Sequence, residues 1–319
     1  MAKYKAVIAD MLFKDVEVEQ EILAEADAVI IQGNCRTETE LIALAGDADA
    51  LITFSFKPVS DFLMKNMPKC LIIVRGGIGL DTVDLPSATR NGLMVTNIPA
   101  YCVEEVSNLT MALMLALVHK IPVAMHATSR GKWDYHVIKP IRSLRMLTVG
   151  IIGFGHIGRL SGQKAASFDM KVQFCDPAVQ GDQPMGNGVL ARKVELDTLL
   201  TASDVIILHA PANEHTRHII NAETIAKMKK GCILINTARG QLLDTQALVD
   251  GLKNGHIGGA GLDLIEGVPP LGKEHPLLAF ENVIITPYYA WYSEDSVRLL
   301  RSTANCLIKN LSEMLSLPH

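Results

Sequence analysis

Leu147-Thr-Val-Gly-Ile-Ile-Gly153-Phe-Gly155-His-Ile-Gly158 is the stretch that decides the fold of this chain. An apolar, β-branched run leads into a Gly-x-Gly-x-x-Gly turn, and residues 159–168 continue with a helix-like composition. A second apolar run, Met170-Lys-Val-Gln-Phe-Cys-Asp176, ends in an acid. This order of strand, glycine turn, helix, strand and acid is typical of a dinucleotide-binding βαβ unit.

Each residue of the glycine turn has a predicted task. Gly153 permits the tight turn, Gly155 lets the backbone approach a pyrophosphate, and Gly158 lets the helix lie close to the strand. His156 and Ile157 complete the turn, where the N–H groups and positive end of the helix face the phosphates.

Asp176 selects the cofactor. Its carboxylate can accept hydrogen bonds from the adenosine ribose hydroxyls, and it would repel a 2′-phosphate. The next three residues, Pro-Ala-Val, offer no arginine to receive such a phosphate. The sequence therefore favours NAD over NADP.

Length and composition restrict the class of protein. The 319 residues suggest two domains, and 49% hydrophobic against 20% charged residues is enough for sizeable cores. A net charge of −4 gives no reason to expect a nucleic-acid partner.

The six cysteines form no CxxC pair, which favours a reduced, cytoplasmic protein. The apolar run 109–118 is too short to span a bilayer, and the amino-terminal residues lead directly into a strand pattern, so we expect neither a membrane partner nor a signal peptide.

The first hundred residues alternate between strand-like and helix-like segments, which predicts a parallel sheet covered on both faces. The predicted strands are 4–9, 28–32, 50–54, 71–74 and 94–97, and the predicted helices are 16–26, 37–45 and 59–66.

A long helix is predicted from residue 103 to residue 120, ending before Pro122. It is apolar on most sides, so it is expected to be buried, either in its own domain or against another subunit. We expect a second subunit to cover it, and hence a homodimer formed through the 103–120 region.

The second half of the chain repeats the alternation. Strands are predicted at 205–209, 232–236, 261–265 and 283–286, with helices at 196–202, 223–230 and 245–253, and a last helix at 293–314. The prediction is an α/β protein with two Rossmann-like or flavodoxin-like domains built on doubly wound parallel sheets. A NAD-binding domain, residues 100–289, is inserted into a substrate domain made of residues 1–99 and 290–319. Ligands of such proteins are expected in an interdomain cleft.

Several motifs in order resemble the D-isomer-specific 2-hydroxyacid dehydrogenases, within which the chain is most similar to the branch of phosphoglycerate dehydrogenases and C-terminal-binding-protein corepressors. The resemblance covers nearly the whole chain. Besides the glycine turn, its motifs are Val74-Arg-Gly-Gly-Ile-Gly-Leu-Asp-Thr-Val-Asp-Leu85, Asn97-Ile-Pro99, Glu104-Glu-Val106, His209-Ala-Pro211, Asn236-Thr-Ala-Arg-Gly240, Gly261-Leu-Asp263 and Ala290-Trp-Tyr-Ser-Glu294.

The resemblance implies hydride transfer between the nicotinamide and C2 of a 2-hydroxy or 2-keto acid. Arg239 matches the arginine that holds the substrate carboxylate and polarises its carbonyl. The loop of Gly76, Gly77, Ile78 and Gly79 matches an anion-binding substrate loop, and Arg75 adds a positive charge there. Trp291 matches a residue that lines the substrate pocket, although interdomain packing explains it equally well. The implied cofactor contacts are Ala210, Pro211, Thr237, Ala238 and Asp263, the last on the nicotinamide carboxamide.

Two positions depart from the family pattern. Tyr288 follows Thr-Pro where the family has its proton-transferring histidine, and Val268 precedes Pro269 where the family has the glutamate that orients it. The two changes are consistent with each other, because a glutamate without its imidazole would be a costly unpaired carboxylate. Glu266 lies two residues early. Of the histidines, His209 and His156 have other tasks, and His275 is a weak candidate for a displaced acid.

These departures leave more than one function open. The first is a working NAD-dependent enzyme in which Tyr288 is the acid and base, slow at neutral pH and faster at alkaline pH. A variant of it uses a substrate that carries its own proton donor. The second is a catalytically weak or silent NAD(H)-binding sensor, and a purely structural role comes third. The substrate side-chain pocket is predicted at residues 54–57, 75–79, 101–102 and 291.

Overall fold

A computed structural model describes residues 4–10, 13, 15–25, 27–54, 58–186 and 188–315, with side chains up to residue 309. The chain divides into two compact units, Met1–Tyr101 with Ser293–His319, and Cys102–Tyr292.

The first unit is built on a five-stranded sheet in which every strand is parallel to its neighbours. Its strands are β1 (Tyr4–Ile8), β2 (Ala28–Gln32), β3 (Ala50–Thr53), β4 (Ile72–Arg75) and β5 (Met94–Asn97). The spatial order β2-β1-β3-β4-β5 is the flavodoxin-like order. β3 and β4 are buried at every residue, as expected for the centre of a parallel sheet.

Side-chain caps define where three of the helices begin. Thr37, Ser60 and Asp84 each accept a hydrogen bond from a backbone N–H of the first turn that follows. The helices of this unit are α1 (Glu17–Ala24), α2 (Glu38–Ala45), α3 (Asp61–Lys65), α4 (Leu85–Arg90) and α11 (Glu294–Leu315).

An ion pair joins α1 to α11, which are separated by almost the whole chain. Arg301 donates through Nε to Glu19 Oε1 at 2.8 Å and through a terminal nitrogen to Oε2 at 2.5 Å. The Glu19 side chain is only 1% exposed. The same guanidinium contacts the Asp15 carboxylate at 2.8 Å and lies over the ring of Phe13. The last helix is therefore part of the first unit.

The second unit is built on an eight-stranded sheet in the order β13-β12-β11-β10-β6-β7-β9-β8. Its strands are β6 (Thr148–Ile152), β7 (Lys171–Cys175), β8 (Gln183–Gly186), β9 (Val189–Lys193), β10 (Val205–Leu208), β11 (Cys232–Asn236), β12 (Ile257–Leu262) and β13 (Val283–Ile285). Six neighbouring strands, β9-β7-β6-β10-β11-β12, follow the Rossmann order 3-2-1-4-5-6. Only the β8–β9 pair is antiparallel among the described pairs.

Helices cover both faces of this sheet. They are α5 (Val103–Val118), α6 (Ile121–Ser129), α7 (His156–Ser167), α8 (Leu196–Ala202), α9 (Ala222–Lys227) and α10 (Thr245–Lys253), with short 3₁₀ helices at Tyr135–Ile138, Leu144–Met146, Gly240–Leu242 and Pro276–Ala279. Two hydrophobic clusters fill the unit, one of them centred on α5, α7 and the stacked rings of Phe154 and Phe174.

The structure covers one face of α5 from within its own unit. Half of its sixteen residues are buried, including Met111, Leu113, Met114 and Leu117, which belong to the cluster with α7. The remaining residues of α5 are the ones that the predicted second subunit would cover. In α6, by contrast, no residue is buried.

Three features of the second unit differ from the sequence prediction. Pro122 opens α6 instead of ending the helical region, because proline is well accommodated in a first helical turn. β12 begins four residues before the predicted strand at 261–265, since the glycines at 258 and 259 conceal it. The strands β8 and β9 were not predicted.

Among the described residues, no single helix has the length and hydropathy of a membrane span, although α5 and α6 together meet that test across a 59° bend.

Candidate active site

The ends of six neighbouring strands lie in one register row of the second unit. Cys175 pairs with Ile152, Ile152 with Leu208, Leu208 with Asn236, Asn236 with Leu262, and Leu262 with Ile285. For four of the six strands, the next residue is a predicted site residue. For β10 and β13 the predicted residues are Ala210 and Tyr288, two and three positions beyond the strand end. The structure thus brings Gly153, Asp176, Ala210, Thr237, Asp263 and Tyr288 to one edge of one sheet, where open α/β sheets bind ligands.

The glycine turn has almost no room for side chains. Gly153 has φ +90°, and a Cβ there would lie 2.4 Å from the amide nitrogen of Ala210. A Cβ on Gly158 would lie 2.3 Å from the carbonyl oxygen of Gly153. Contacts this close between backbones require glycine, so the turn is fixed from both sides.

Gly155 differs from these two glycines, because a Cβ there would have no neighbour within 4 Å. It is the N-cap of α7, and no side chain caps that helix end. No side chain therefore caps the first turn of this twelve-residue helix, and the space beside Gly155 is open. This is the geometry that a pyrophosphate needs, and the turn fits a dinucleotide.

Asp176 is held in place by the backbone around it. Its Oδ2 accepts a 2.6 Å hydrogen bond from the amide of Phe154, and its Oδ1 accepts one of 2.8 Å from Ala178. The carboxylate therefore lies directly beside the glycine turn, as the predicted ribose contact requires.

His209, at the end of β10, is a neutral structural histidine. Its Nε2 lies 2.9 Å from Ser161 Oγ on α7, and burial lowers its pKa to about 3. It links the β10 end to the dinucleotide helix, and the residue after it, Ala210, lies opposite Gly153. The prediction that it transfers no proton agrees with this environment.

The loop that follows β11 is organised by Asn236. Its side chain accepts from the amide of Ala238 at 3.1 Å and donates to the carbonyl of Arg239 at 2.8 Å. Arg239 donates from its guanidinium to the Ala238 carbonyl at 2.8 Å. This loop thus presents Arg239 at the sheet edge.

Thr237 points away from that edge. Thr110 on α5 donates its hydroxyl hydrogen to the Val106 carbonyl, so it accepts from the Thr237 hydroxyl 2.8 Å away. Thr237 is 5% exposed. Its predicted contact with the cofactor is therefore restricted to its backbone.

Asp263 anchors the loop that carries Tyr288. Its buried carboxylate accepts hydrogen bonds from Thr286 Oγ1 at 2.5 Å, from the amide of Tyr289 at 3.1 Å and from that of Ala290 at 2.9 Å. Sequence reasoning predicted a carboxamide contact for Asp263, and missed this structural task.

Tyr288 itself has φ +54°, a left-handed conformation that is rare for a bulky side chain. Its carbonyl accepts a 3.0 Å bond from the indole nitrogen of Trp291, and the residue is half-buried. Such a conformation is held by its surroundings and marks a constrained position.

Val268 contributes only apolar surface. It is partly buried against the larger hydrophobic cluster of the unit, and its amide donates to the Ile265 carbonyl. His275 caps the 3₁₀ helix Pro276–Ala279 by accepting from the amide of Leu277. This contact gives His275 a structural task.

The structure contains an acid–histidine pair, His218 with Glu266, that was not predicted. His218 Nε2 lies 2.6 Å from Glu266 Oε2, and Arg217 lies 2.6 Å from Oε1. Nothing in the sequence spacing indicates the pair, since 48 residues separate the two partners.

In the first unit, Arg75 supports its own loop. It is 5% exposed and donates to the Gly76 carbonyl at 2.5 Å, while Gly77 has no room for a side chain beside the guanidinium. The amides of Gly76 and Gly77 donate to the carbonyls of Thr53 and Arg75. The predicted anion contacts of this loop therefore narrow to the amides of Ile78 and Gly79.

Residues 55–57 of the predicted side-chain pocket lie outside the described residues.

Comparison with known proteins gives consistent relatives. The sequence profile described as the D-isomer specific 2-hydroxyacid dehydrogenase, NAD binding domain, matches residues 111–290. A hydroxypyruvate reductase of Thermotoga maritima is 37% identical over 300 residues, which cover 93% of this chain and 95% of that protein.

Two solved structures extend the comparison. A D-lactate dehydrogenase from Aquifex aeolicus, complexed with NAD and lactic acid, superimposes with a TM-score of 0.85 at 30% identity, covering 97% of this chain and 96% of that one. An acyclic imino acid reductase in complex with NADPH and D-Arg gives a TM-score of 0.84 at 27% identity, covering 98% and 97%.

Proposed function

This chain belongs to the D-isomer-specific 2-hydroxyacid dehydrogenase family, and we propose from that premise how its own residues perform the chemistry. It is an NAD-dependent oxidoreductase for a small 2-hydroxy or 2-keto acid. The observation that carries the proposal is the register row, which gathers the glycine turn, Asp176, Arg239 and Tyr288 at one sheet edge.

The glycine turn and Asp176 hold the cofactor. The open N-terminus of α7 takes the pyrophosphate, and the anchored carboxylate of Asp176 takes the ribose hydroxyls. Ala210 and Pro211 form the opposite side of the turn. When bound, NAD(H) supplies the hydride acceptor or donor at its nicotinamide ring.

Arg239 holds the acid. Its planar guanidinium suits two oxygens of a 2-keto carboxylate, and its positive charge stabilises the negative charge that develops on the carbonyl oxygen during reduction. Arg75 and the amides of Ile78 and Gly79 stay predicted substrate contacts, on the family resemblance alone.

Tyr288 is our proposed acid and base. A tyrosine hydroxyl, whose ordinary pKa is about 10, can protonate the carbonyl oxygen in reduction and accept the proton back in oxidation. Val268 supplies no carboxylate to assist it. We therefore expect slow turnover at neutral pH and faster oxidation of the 2-hydroxy acid at alkaline pH.

The test is oxidation of NADH with a panel of 2-keto acids, followed by the reverse reaction across pH 7–10. We expect turnover that falls strongly in Tyr288→Phe and is lost in Arg239→Met, with NADH affinity unchanged. NADH binding without turnover, at high enzyme concentration and at every pH, would instead indicate an NAD(H)-binding sensor, a function that the relatives do not favour.

A second candidate substrate class follows from the two substituted positions. A 2-imino acid protonated at nitrogen accepts hydride at C2 and already carries its proton, so neither a histidine nor a glutamate is needed. The similarity to an imino acid reductase supports this alternative. NADH oxidation that requires both a 2-keto acid and an amine, and that survives Tyr288→Phe, would favour it.

We further propose a cytoplasmic homodimer assembled through the 103–120 region and the adjacent α6. α6 buries none of its residues. Met125 within α6 is 64% exposed, and Trp133, which follows the helix, is 94% exposed. Apolar side chains so exposed are typical of an interface. Sedimentation equilibrium of the intact protein and of Trp133→Ser tests this assembly.

A further inference from the structure

His218 and Glu266 come from two loops that both contact the segment carrying Arg239. Glu266 lies in the turn that follows β12, and His218 lies in the loop between β10 and α9. Their 2.6 Å contact is supported by Arg217 on the other carboxylate oxygen. All three side chains are between about a quarter and three-fifths exposed, with Glu266 the least exposed at 27%.

The backbone of the Arg239 segment is enclosed by these loops. A Cβ on Gly240 would lie 2.5 Å from the amide nitrogen of Glu266, so the two backbones touch. On the other side, the amide of His218 donates to the Gln241 carbonyl at 2.8 Å, and Ile220 pairs with Leu243 as a parallel bridge.

Three chain segments therefore converge, and the Glu266 carboxylate joins the outer two through its contacts with His218 and Arg217. Residues 239–243 are the middle segment, with residues 217–220 and 265–266 on either side. The His218 backbone is in the left-handed region, at φ +49°, which is uncommon for a residue other than glycine. Such a conformation persists where neighbouring contacts fix the position.

We propose that His218 and Glu266 are positioning residues that fix the direction of the Arg239 guanidinium toward the substrate carboxylate. The inference rests on the proposed role of Arg239. The charge-assisted bond clamps the turn 265–268 against residues 239–243, and the same turn carries Val268. Loss of this bond would shift the Arg239 guanidinium and leave the cofactor site unchanged. Even a small displacement of a group that binds the substrate carboxylate lowers substrate affinity and rate.

The probe is oxamate, an unreactive analogue of a 2-keto carboxylate, titrated into the complex of the full chain with NADH. His218→Leu removes the donor to Glu266, whereas His218→Gln keeps a donor close to the position of Nε2 at the same backbone conformation. We expect His218→Leu to weaken oxamate binding about tenfold and to raise KM more than it lowers kcat. We expect His218→Gln to restore most of the affinity, and NADH affinity to stay within about twofold in both.

Glu266→Gln provides a second variant of nearly unchanged shape, and it should behave like His218→Leu. The chain also offers a matched control, because Glu214 and His215 form another acid–histidine pair in the same loop, at 3.7 Å and 86% exposed on both sides. Glu214→Gln and His215→Leu should leave oxamate binding unchanged.

The outcomes separate this inference from the proposed function. Oxamate affinity lost in Arg239→Met but retained in His218→Leu and Glu266→Gln would overturn the clamp and leave the proposed function standing. Equal losses of NADH and oxamate affinity in His218→Leu would overturn it too, since they indicate general damage. Oxamate binding that is absent in the wild type, or unchanged in Arg239→Met, would contradict the proposed function and the clamp together.

Discussion

Gly153 and Ala210 approach so closely that a methyl group on Gly153 would lie 2.4 Å from the Ala210 amide nitrogen. The glycine turn is therefore built against the end of β10, and it depends on backbone contact there. Two residues later, Gly155 faces open space. The two glycines of one motif should thus respond differently to the same substitution.

Gly153→Ala should lower the free energy of unfolding by about 2–4 kcal/mol, because the methyl group meets backbone and the φ of +90° disfavours it. Gly155→Ala should unfold like the wild type but bind NADH roughly tenfold more weakly, because its methyl group fills the approach of the pyrophosphate. Urea denaturation and NADH fluorescence titration measure the two effects. A stable Gly153→Ala protein, or a Gly155→Ala protein with wild-type affinity, would contradict this view of the turn.

Restoring the family's proton-transfer pair should accelerate the reaction. In Tyr288→His/Val268→Glu we expect kcat at pH 7 to rise about 10²-fold, the usual contribution of a positioned acid–base group. Histidine is also more common than tyrosine at a positive φ. Steady-state kinetics of the double variant and both single variants decide this.

The single variants serve as controls for that experiment. Val268→Glu alone should gain no activity and should lose about 1–2 kcal/mol of stability, since its carboxylate would be partly buried without a partner. A double variant no faster than wild type would indicate that proton transfer does not limit turnover.

His209 should make the protein less stable in acid. Its folded pKa of about 3 lies below the usual 6.5, so the unfolded chain binds a proton that the folded chain does not. Stability therefore rises with pH between about 3 and 6.5. Since the residue is partly exposed as a whole, we expect about 1–2 kcal/mol between pH 5 and pH 7.5.

His209→Gln, which keeps a partner for Ser161, should remove this part of the pH dependence in urea denaturation. His215→Gln is the matched control, because His215 is 86% exposed. An unchanged pH dependence in His209→Gln would show that the imidazole is not desolvated.

Arg301 should be essential for the first unit. Arg301→Met leaves Glu19 buried without its partner, and we expect a loss of about 3 kcal/mol in urea denaturation. Arg301→Met/Glu19→Leu should recover most of it, because a hydrophobic pair replaces the ions. Lys309→Met, which removes the exposed contact with Glu25, should leave the denaturation midpoint unchanged. A double variant as unstable as the single one would place the loss elsewhere.

The elements predicted most accurately are those with strong local signals. β2, β5, β11, α8 and α10 have the predicted bounds. Continuous apolar runs define β2 and β11, and the Asp244 side chain caps the start of α10. The hairpin of β8 and β9 was missed, since Gln183-Pro-Met-Gly186 has neither alternation nor β-branched residues. Tertiary pairing with β7 makes β9 a strand.

The site residues, too, were predictable where the signal is local and not where it depends on distant segments. Motif positions such as Gly153, Asp176 and Arg239 were predicted, because each belongs to a motif that is complete within a few neighbouring residues. Contacts between distant segments were not, as Thr110 with Thr237 and His218 with Glu266 illustrate. Their spacing along the chain carries no information until the sheet brings their loops together.

The contact of Arg301 with Glu19 has a consequence for synthesis on the ribosome. The guanidinium that neutralises Glu19 is synthesised 282 residues after it, long after the nascent chain has passed residue 101. The inserted unit, which is continuous from Cys102 to Tyr292, has all its residues before then. We therefore expect the inserted unit to fold first and the first-made segment to wait for the last-made helix, the reverse of the usual amino-terminal-first order.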